Sequence, residues 1–164
     1  MEKTVSERKT QNTHLPKRVA AYCRVAARGT DPSYGLDAQR AYYIQKINEN
    51  PDWKLAGVYA DEGLVNSAAK KRKEFSRMLA ACKRGSIDII LTRSVSRFAR
   101  NMVECLKAMR MLQALGVAVI FEKENIDTSV DNSDMLMDFL CRFSEEECKF
   151  LSSNLIYPIS KRPL

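Results

Sequence analysis

The sequence has few of the residues that build metal sites and disulfide frameworks. Its 164 residues include a single histidine, His14. The five cysteines are scattered along the chain, at Cys23, Cys82, Cys105, Cys141 and Cys148. Their number is odd and none of them forms a CxxC pair, whereas zinc sites and disulfide-rich domains need paired or closely spaced ligands. We therefore expect no bound metal, no cofactor and no disulfide framework.

Long apolar runs are also absent. No stretch reaches the roughly 18 uncharged apolar residues that a membrane span requires. The first 18 residues, "MEKTVSERKTQNTHLPKR", lack the apolar centre of a signal peptide. These absences predict a cytoplasmic protein without a membrane partner, and the length suits one domain better than two.

Positive charge is in excess. Twenty-seven lysines and arginines against 20 acidic residues give a net charge of +7. Such a balance favours an acidic partner, of which nucleic acid is the commonest. A basic surface that only confers solubility is the alternative interpretation.

Short apolar segments alternate with amphipathic ones along the chain. Strands are predicted at 18–25, 53–61, 87–92 and 117–124, and helices at 36–50, 73–85 and 97–116. Residues 1–17 are predicted to form a flexible arm, 18–132 the folded domain, 133–157 a long C-terminal helix and 158–164 an irregular tail. The alternation predicts an α/β domain with a mostly parallel sheet of four or five strands.

Basic residues cluster where three of the predicted strands end. They are Arg24, Arg28, Lys70, Lys71, Arg72, Arg93, Arg97 and Arg100. Because the carboxyl ends of parallel strands meet at one edge of a sheet, these side chains are expected to converge on a phosphate group. Any one arginine could instead lie on a solvated surface. A nucleotide-binding domain of another kind would need a glycine-rich loop after the first strand, and "AARGTDP" (26–32) has one glycine.

Four segments together resemble the catalytic domain of serine recombinases, the resolvase/invertase superfamily. They are "AAYCRV" (20–25), "LDAQRAYYIQKINENPDWKLAGVYADEG" (36–63), "KKRKEFSRMLAACKRGSIDIILTRSVSRFARN" (70–101) and "LGVAVIFEKENIDT" (115–128). The likeness is greatest to the large serine recombinases of mobile elements, and "SVSRFARN" and "FEKENIDT" are its most specific parts. The resemblance implies a resolvase-like three-layer domain with a long C-terminal helix.

The resemblance also implies a chemistry. In this family a serine just after the first strand attacks a DNA phosphodiester, forms a phosphoserine link and releases a 3′-hydroxyl. Arginines neutralise the charge that builds on phosphorus, without a metal ion. By motif, the catalytic positions are Arg24, Gln39, Arg72, Ser96, Arg97 and Arg100. The remaining basic residues, Arg28, Lys70, Lys71 and Arg93, are expected to contact the DNA backbone.

The position of the attacking serine is occupied by Ala26, since the chain reads "YCRVAARG" where the family reads "YCRVS". Alanine has no oxygen and cannot form a phosphoester. Thr30 and Ser33 lie several residues further along, and a displacement of about 1 Å can cost on the order of 100-fold in rate. We therefore expect this chain not to cleave DNA.

Other positions also depart from the family pattern. Ala27 and Arg28 replace the usual Thr-Asp, and "GLVN" (63–66) replaces "GISG". An engineered serine-to-alanine substitution would alter one position, so these departures favour natural drift.

Residues 134–156, "DMLMDFLCRFSEEECKFLSSNLI", resemble the start of the long helix that mediates dimerisation in relatives and lies on DNA. They are followed by "YPISKRPL", and no C-terminal DNA-recognition domain is expected. The sequence thus predicts an inactive recombinase catalytic domain that binds the DNA backbone and forms a homo-dimer or tetramer. The alternative is a non-catalytic DNA-binding or oligomerisation module, or a silent subunit of an active recombinase.

Overall fold

The computed structural model describes residues 14–25, 35–62 and 72–130. The strands are β1 (Lys17–Val25), β2 (Trp53–Glu62), β3 (Ile89–Thr92), β4 (Ala118–Phe121) and β5 (Ile126–Asp127). The helices are α1 (Leu36–Glu49), α2 (Lys73–Lys83), α3 (Val95–Phe98) and α4 (Met102–Ala114). Alternating strands and helices of this kind confirm the predicted α/β class.

The five strands form one sheet in the order β2-β1-β3-β4-β5. All neighbouring pairs are parallel except β4 and β5, which run antiparallel. β1 lies in the interior of the sheet, and its side chains alternate between two cores. Ala20 and Tyr22 pack with α2, α3 and α4, whereas Val19, Ala21 and Cys23 pack with α1. The predicted three layers and the mostly parallel sheet are therefore present.

Four aromatic rings line the core between the sheet and α2, α3 and α4. Tyr22, Phe75, Phe98 and Phe121 make successive edge-to-face contacts, with ring centroids 5.1, 5.2 and 5.5 Å apart. Phe98 and Phe121 are fully buried. Such rings bury large areas in fixed geometry, so the row anchors α3 to the sheet.

The single helix predicted over 97–116 is wrong, because the chain breaks it between α3 and α4. Ala99 and Asn101 are extended, with φ of −127° and −150°. The Asn101 side-chain oxygen accepts a hydrogen bond of 2.8 Å from the backbone N–H of Glu104. Asparagine capping gives a partner to one N–H group that a helix start leaves unpaired, and so it favours a new helix here.

The predicted strand over 117–124 also ends early. Residues 122–125 turn, with Asn125 in the left-handed region at φ 53°. The chain then forms the two-residue strand β5, where the sequence pattern predicts only a loop. The backbone N–H of Val119 donates to the Thr128 hydroxyl at 2.8 Å, which ties the chain after β5 back to the sheet.

Several predictions fall outside the described residues. They include most of the 1–17 arm, although its last residue, Lys17, already belongs to β1. The 133–157 helix and the 158–164 tail also lie outside them. Among the helices that the structure describes, none is both long and apolar enough to cross a membrane.

Candidate phosphate-binding site at the sheet edge

The carboxyl ends of the three neighbouring strands β2, β1 and β3 are in register, which fixes where the basic residues begin. Arg24 of β1 lies opposite Asp61 of β2, and Tyr22 of β1 lies opposite Thr92 of β3. Tyr22 and Arg24 are two residues apart, so they face the same side of the sheet. That side is covered by α2 and α3.

Arg72 lies immediately before α2, and every nitrogen of its guanidinium has a hydrogen-bond partner. It is 7% exposed. Its Nε donates to the Tyr22 hydroxyl at 3.0 Å, its Nη1 to Glu104 Oε1 at 3.1 Å and its Nη2 to the Phe98 carbonyl. The guanidinium carbon lies 3.8 Å from the centre of the Phe75 ring. A planar cation fixed in this way is pre-oriented for an anion.

Asp61 connects Arg72 to the start of α2. Its Oδ2 accepts from the Tyr22 hydroxyl at 3.0 Å, and its two oxygens accept from the backbone N–H groups of Glu74 and Phe75 at 3.0 and 2.9 Å. A carboxylate is stabilising at a helix N-terminus, where N–H groups lack partners. Burial, assisted by Asp61 and opposed by Arg72, raises the pKa of Tyr22 well above its usual range. The phenol therefore keeps its proton for the bond to Asp61.

Arg24 is half-buried beside other cations. Its Nη2 donates to the Ser96 carbonyl at 2.7 Å. Burial lowers the pKa of Arg24, and the charges of Arg72, Arg97 and Arg100 lower it further. The contacts of Arg24 with the Ser96 carbonyl and of Arg72 with the Phe98 carbonyl place both guanidinium groups against α3, which also carries Arg97. An anion bound among them would relieve their repulsion.

The α3 segment supplies the remaining members of the group. Ser94 Oγ and Ser96 Oγ lie 3.0 Å apart, with Ser94 buried. Arg97 is half-buried on α3, and Arg100 is exposed in the turn before α4. The backbone N–H of Arg100 donates to Glu104 Oε2 at 2.7 Å. Contacts thus link Arg24 and Arg72 to α3 and, through Glu104, Arg72 to the backbone of Arg100, whereas the catalytic role of these residues stays a prediction.

Gln39 and Arg93 lie elsewhere, on the α1 side of the sheet. They line a pocket of about 600 Å³ together with Ala38, Tyr42, Tyr43, Glu122 and Lys123. Glu122 accepts hydrogen bonds from the Tyr42 and Tyr43 hydroxyls at 3.2 and 2.9 Å and from the Lys46 ammonium. The structure therefore divides the predicted residues between two faces of one edge.

Four predicted positions, Ala26, Arg28, Lys70 and Lys71, lie outside the described residues. Among the described ones, no group of three or more histidine, cysteine, aspartate or glutamate side chains is placed to bind a metal ion.

The sequence interpretation omitted Tyr22, Asp61 and Glu104, which contact the cluster. Two signals were available. Tyr22 lies two residues before Arg24 on a strand, and Glu104 lies four residues after Arg100, at the spacing of a helical ion pair.

Comparison with known proteins decides the family. The chain matches the family model described as "Resolvase, N terminal domain" over residues 19–161. The chain belongs to the resolvase family. It is 26% identical to the transposon Tn21 resolvase of Escherichia coli over 120 residues. The match covers 68% of this chain and 63% of that protein. The resolvase-like chain thus spans less than two thirds of that relative's length.

Solved structures agree with the resolvase assignment. A resolvase family site-specific recombinase from Streptococcus pneumoniae is 26% identical, with a TM-score of 0.65, over 88% of this chain and 97% of that one. The N-terminal catalytic domain of TP901-1 integrase is 24% identical, with a TM-score of 0.58, over 82% and 98%. The second likeness supports the fold alone. Together they confirm the predicted resemblance to serine recombinase catalytic domains.

Proposed function

We propose that this resolvase-family chain binds a phosphate of the DNA backbone at the Arg24–Arg72–Arg97–Arg100 cluster and does not cleave it. The observation that carries the proposal is the buried Arg72, whose guanidinium is fixed by three hydrogen bonds beside three other arginines. Guanidinium groups match phosphate oxygens in pairs and stay charged at any physiological pH. Membership of a family of site-specific recombinases makes DNA the expected source of that phosphate.

The missing step follows from Ala26. In a chain with serine at this position, the hydroxyl oxygen would form a bond to phosphorus while the bond from phosphorus to the 3′ oxygen breaks. The serine would lose its proton in this exchange and the 3′ oxygen would gain one, so the leaving group would depart as a hydroxyl. Fixed arginines stabilise the charge on phosphorus during this exchange. With a methyl group at position 26 the attacking atom is absent, while the proposed electrostatic part of the site remains.

Binding is tested with a labelled DNA duplex titrated at several salt concentrations. Electrostatic binding predicts that affinity falls steeply as salt increases. In a plot of the logarithm of the binding constant against the logarithm of the salt concentration, losing one phosphate contact lowers the magnitude of the slope by about 0.9. Arg97→Ala and Arg100→Ala should each reduce the slope by about that amount. Arg84→Ala, an exposed arginine just after α2 at the other end of that helix, is the matched control. A control that reduces the slope as much as Arg97→Ala would contradict the location of the site.

Cleavage chemistry is tested by restoring the serine. Ala26→Ser is expected to yield a protein–DNA adduct that survives denaturant, whereas the unaltered chain yields none. Ala27→Ser is the matched control, because it adds the same hydroxyl one residue away. An adduct with the unaltered chain or with Ala27→Ser would contradict the assigned position. If Ala26→Ser gives no adduct, the cluster is not arranged for the exchange, and the salt titration alone decides binding.

A second function, which the alanine at position 26 favours, is that of a silent subunit in a recombinase assembly. Its test mixes the unaltered chain with an Ala26→Ser copy of itself and measures their co-assembly by crosslinking on DNA. Mixed oligomers that carry one adduct each would support this function. Strictly separate species would contradict it.

A further inference from the structure

Glu104 is a carboxylate inside a cluster that is proposed to bind an anion. Its Oε1 accepts from Arg72 Nη1 at 3.1 Å, and its Oε2 accepts from the backbone N–H of Arg100 at 2.7 Å. Its own backbone N–H is capped by Asn101 at 2.8 Å. A third of the Glu104 side chain is exposed, against 6% for that of Arg72.

The two Glu104 oxygens connect separate parts of the chain. Arg72 precedes α2, whereas Arg100 lies in the turn between α3 and α4. The turn is extended at Ala99 and Asn101, and within it the backbone N–H of Arg100 donates to Glu104 Oε2. The Oε2 contact fixes the backbone from which the Arg100 side chain extends, relative to the guanidinium of Arg72.

We propose that Glu104 is a positioning residue for the phosphate site: its carboxylate sets the separation of Arg72 and Arg100 so that both reach one phosphate group. This inference rests on the proposed function. A simpler expectation is that Glu104 lowers the affinity for phosphate, because a negative charge this close to an anion site weakens the positive potential there.

The charge of Glu104 and its positioning of the arginines would change the affinity for phosphate in opposite directions. If Glu104 acted by charge alone, its removal would tighten phosphate binding. If it positions Arg72 and Arg100, its removal loosens binding despite the gain in positive charge. Loss of one charge-assisted hydrogen bond corresponds to roughly tenfold in a dissociation constant.

The test compares the unaltered chain with Glu104→Gln and Glu104→Asp. Inorganic phosphate and a DNA duplex are the probes, and the arginine Nε–H signals are followed by NMR. Glutamine removes the charge at nearly constant shape, whereas aspartate keeps the charge but is one methylene too short to reach both partners. Both variants are expected to bind phosphate about tenfold more weakly. Unfolding in urea, measured in parallel, identifies the fraction of folded protein.

Glu74→Gln is the matched control. Glu74 lies in the first turn of α2, is 29% exposed in its side chain and pairs with Arg77 at 3.0 Å, a cation outside the cluster. Its removal changes the charge near the site without touching Arg72 or Arg100, so binding should tighten by less than about threefold.

Each outcome decides one claim. Equal or tighter binding by Glu104→Gln, with binding by Glu104→Asp unchanged, would overturn the positioning role and leave the proposed function standing. If neither probe moves the arginine signals of the unaltered chain, the proposed function fails, and the positioning role fails with it. Weaker binding by both Glu104 variants, with tighter binding by the control, supports both.

Discussion

The α2 and α3 side of the sheet edge carries four arginines and two carboxylates, Asp61 and Glu104. On the α1 side of the same edge, one carboxylate, Glu122, receives two tyrosine hydroxyls and a lysine ammonium. The first group carries net positive charge that its own acids do not balance. In the second group Lys46 balances the charge of Glu122, although Arg93 and Lys123 also line the pocket on that side. The buried and oriented guanidinium of Arg72 supports the proposal that the anion binds on the first side, although cations line both.

The largest expected effect comes from removing the aromatic support of the arginine side. Phe98→Ala would delete a fully buried ring that contacts Phe75 and Phe121. A cavity of this kind costs about 3–5 kcal/mol of the free energy of unfolding. Because Phe98 also lies between Arg97 and Arg100 on the α3 turn, DNA affinity of the folded fraction is expected to fall as well.

Ile47→Ala is the matched substitution on the other face, since Ile47 of α1 is fully buried against the sheet. It is expected to cost about 2–5 kcal/mol while DNA affinity of the folded fraction stays unchanged. Urea denaturation and duplex titration on both variants check this. Equal losses of DNA affinity would show that the two faces are not independent.

A smaller effect is expected from Glu122→Gln. The carboxylate is mostly buried, with 17% of its side chain exposed, and the change leaves Lys46 without an anionic partner. Loss of a hydrogen bond to a charged group costs about 1.5–3 kcal/mol. Stability should fall by that amount in urea, with DNA affinity unchanged, whereas the exposed Glu49→Gln should alter neither. A tenfold loss of DNA affinity in Glu122→Gln would show that DNA binding depends on the α1 side, and it would contradict the proposed location of the anion site.

The two tyrosines whose hydroxyls donate to Glu122 are expected to contribute unequally to stability. Tyr43 is buried and its hydroxyl donates at 2.9 Å, whereas Tyr42 is half-exposed and donates at 3.2 Å. Burial and the nearby Glu122 charge raise the pKa of Tyr43 above its usual range. Tyr43→Phe is therefore expected to cost about 1 kcal/mol of unfolding free energy and Tyr42→Phe less than half of that, because water replaces an exposed partner. The reverse order in a denaturation series would contradict this.

The sequence predicted much of the fold because the relevant signals are local. Apolar runs marked β1, β2 and β3 to within a few residues, and Gly116 correctly marked the end of the helix before β4. The break at Ala99 had a local signal too. Asn101 followed by Glu104 has the spacing of a helix cap, but the apolar periodicity of α4 extends the prediction back across it. The two-residue strand β5 is too short for any pattern to reveal.

The candidate site was predictable only in part, because its contacts are long-range. Convergence of the arginines follows from strand order and the rule for parallel sheets. The partners of Arg72 do not, since Tyr22 and Glu104 are 50 and 32 residues distant in sequence. The placement of Gln39 and Arg93 on the opposite face likewise depends on which side of the sheet α1 covers. Periodicity alone does not determine that side.

The smallest expected effect lies at the amino edge of the sheet, away from both groups. Asp88 accepts from the backbone N–H, Nε and Nη2 of Arg18 at 2.8, 3.0 and 2.9 Å. The hydrogen bonds from Arg18 lower the pKa of Asp88 below its ordinary value. A carboxylate with a lowered pKa in the folded state stabilises the fold above its unfolded pKa of about 3.9. That contribution is lost as the pH falls through the lower, folded-state pKa.

Asp88→Asn tests this pair. It is expected to lower stability slightly at neutral pH and to flatten the decline of stability below about pH 4, because the titrating group is gone. DNA affinity at neutral pH should not change, since the pair lies at the opposite end of β1 from Arg24. Urea unfolding from pH 3 to pH 7 measures the first expectation and duplex titration the second. A change in DNA affinity here would mean that the charge of the whole chain, rather than the arginine side of the carboxyl edge, governs binding.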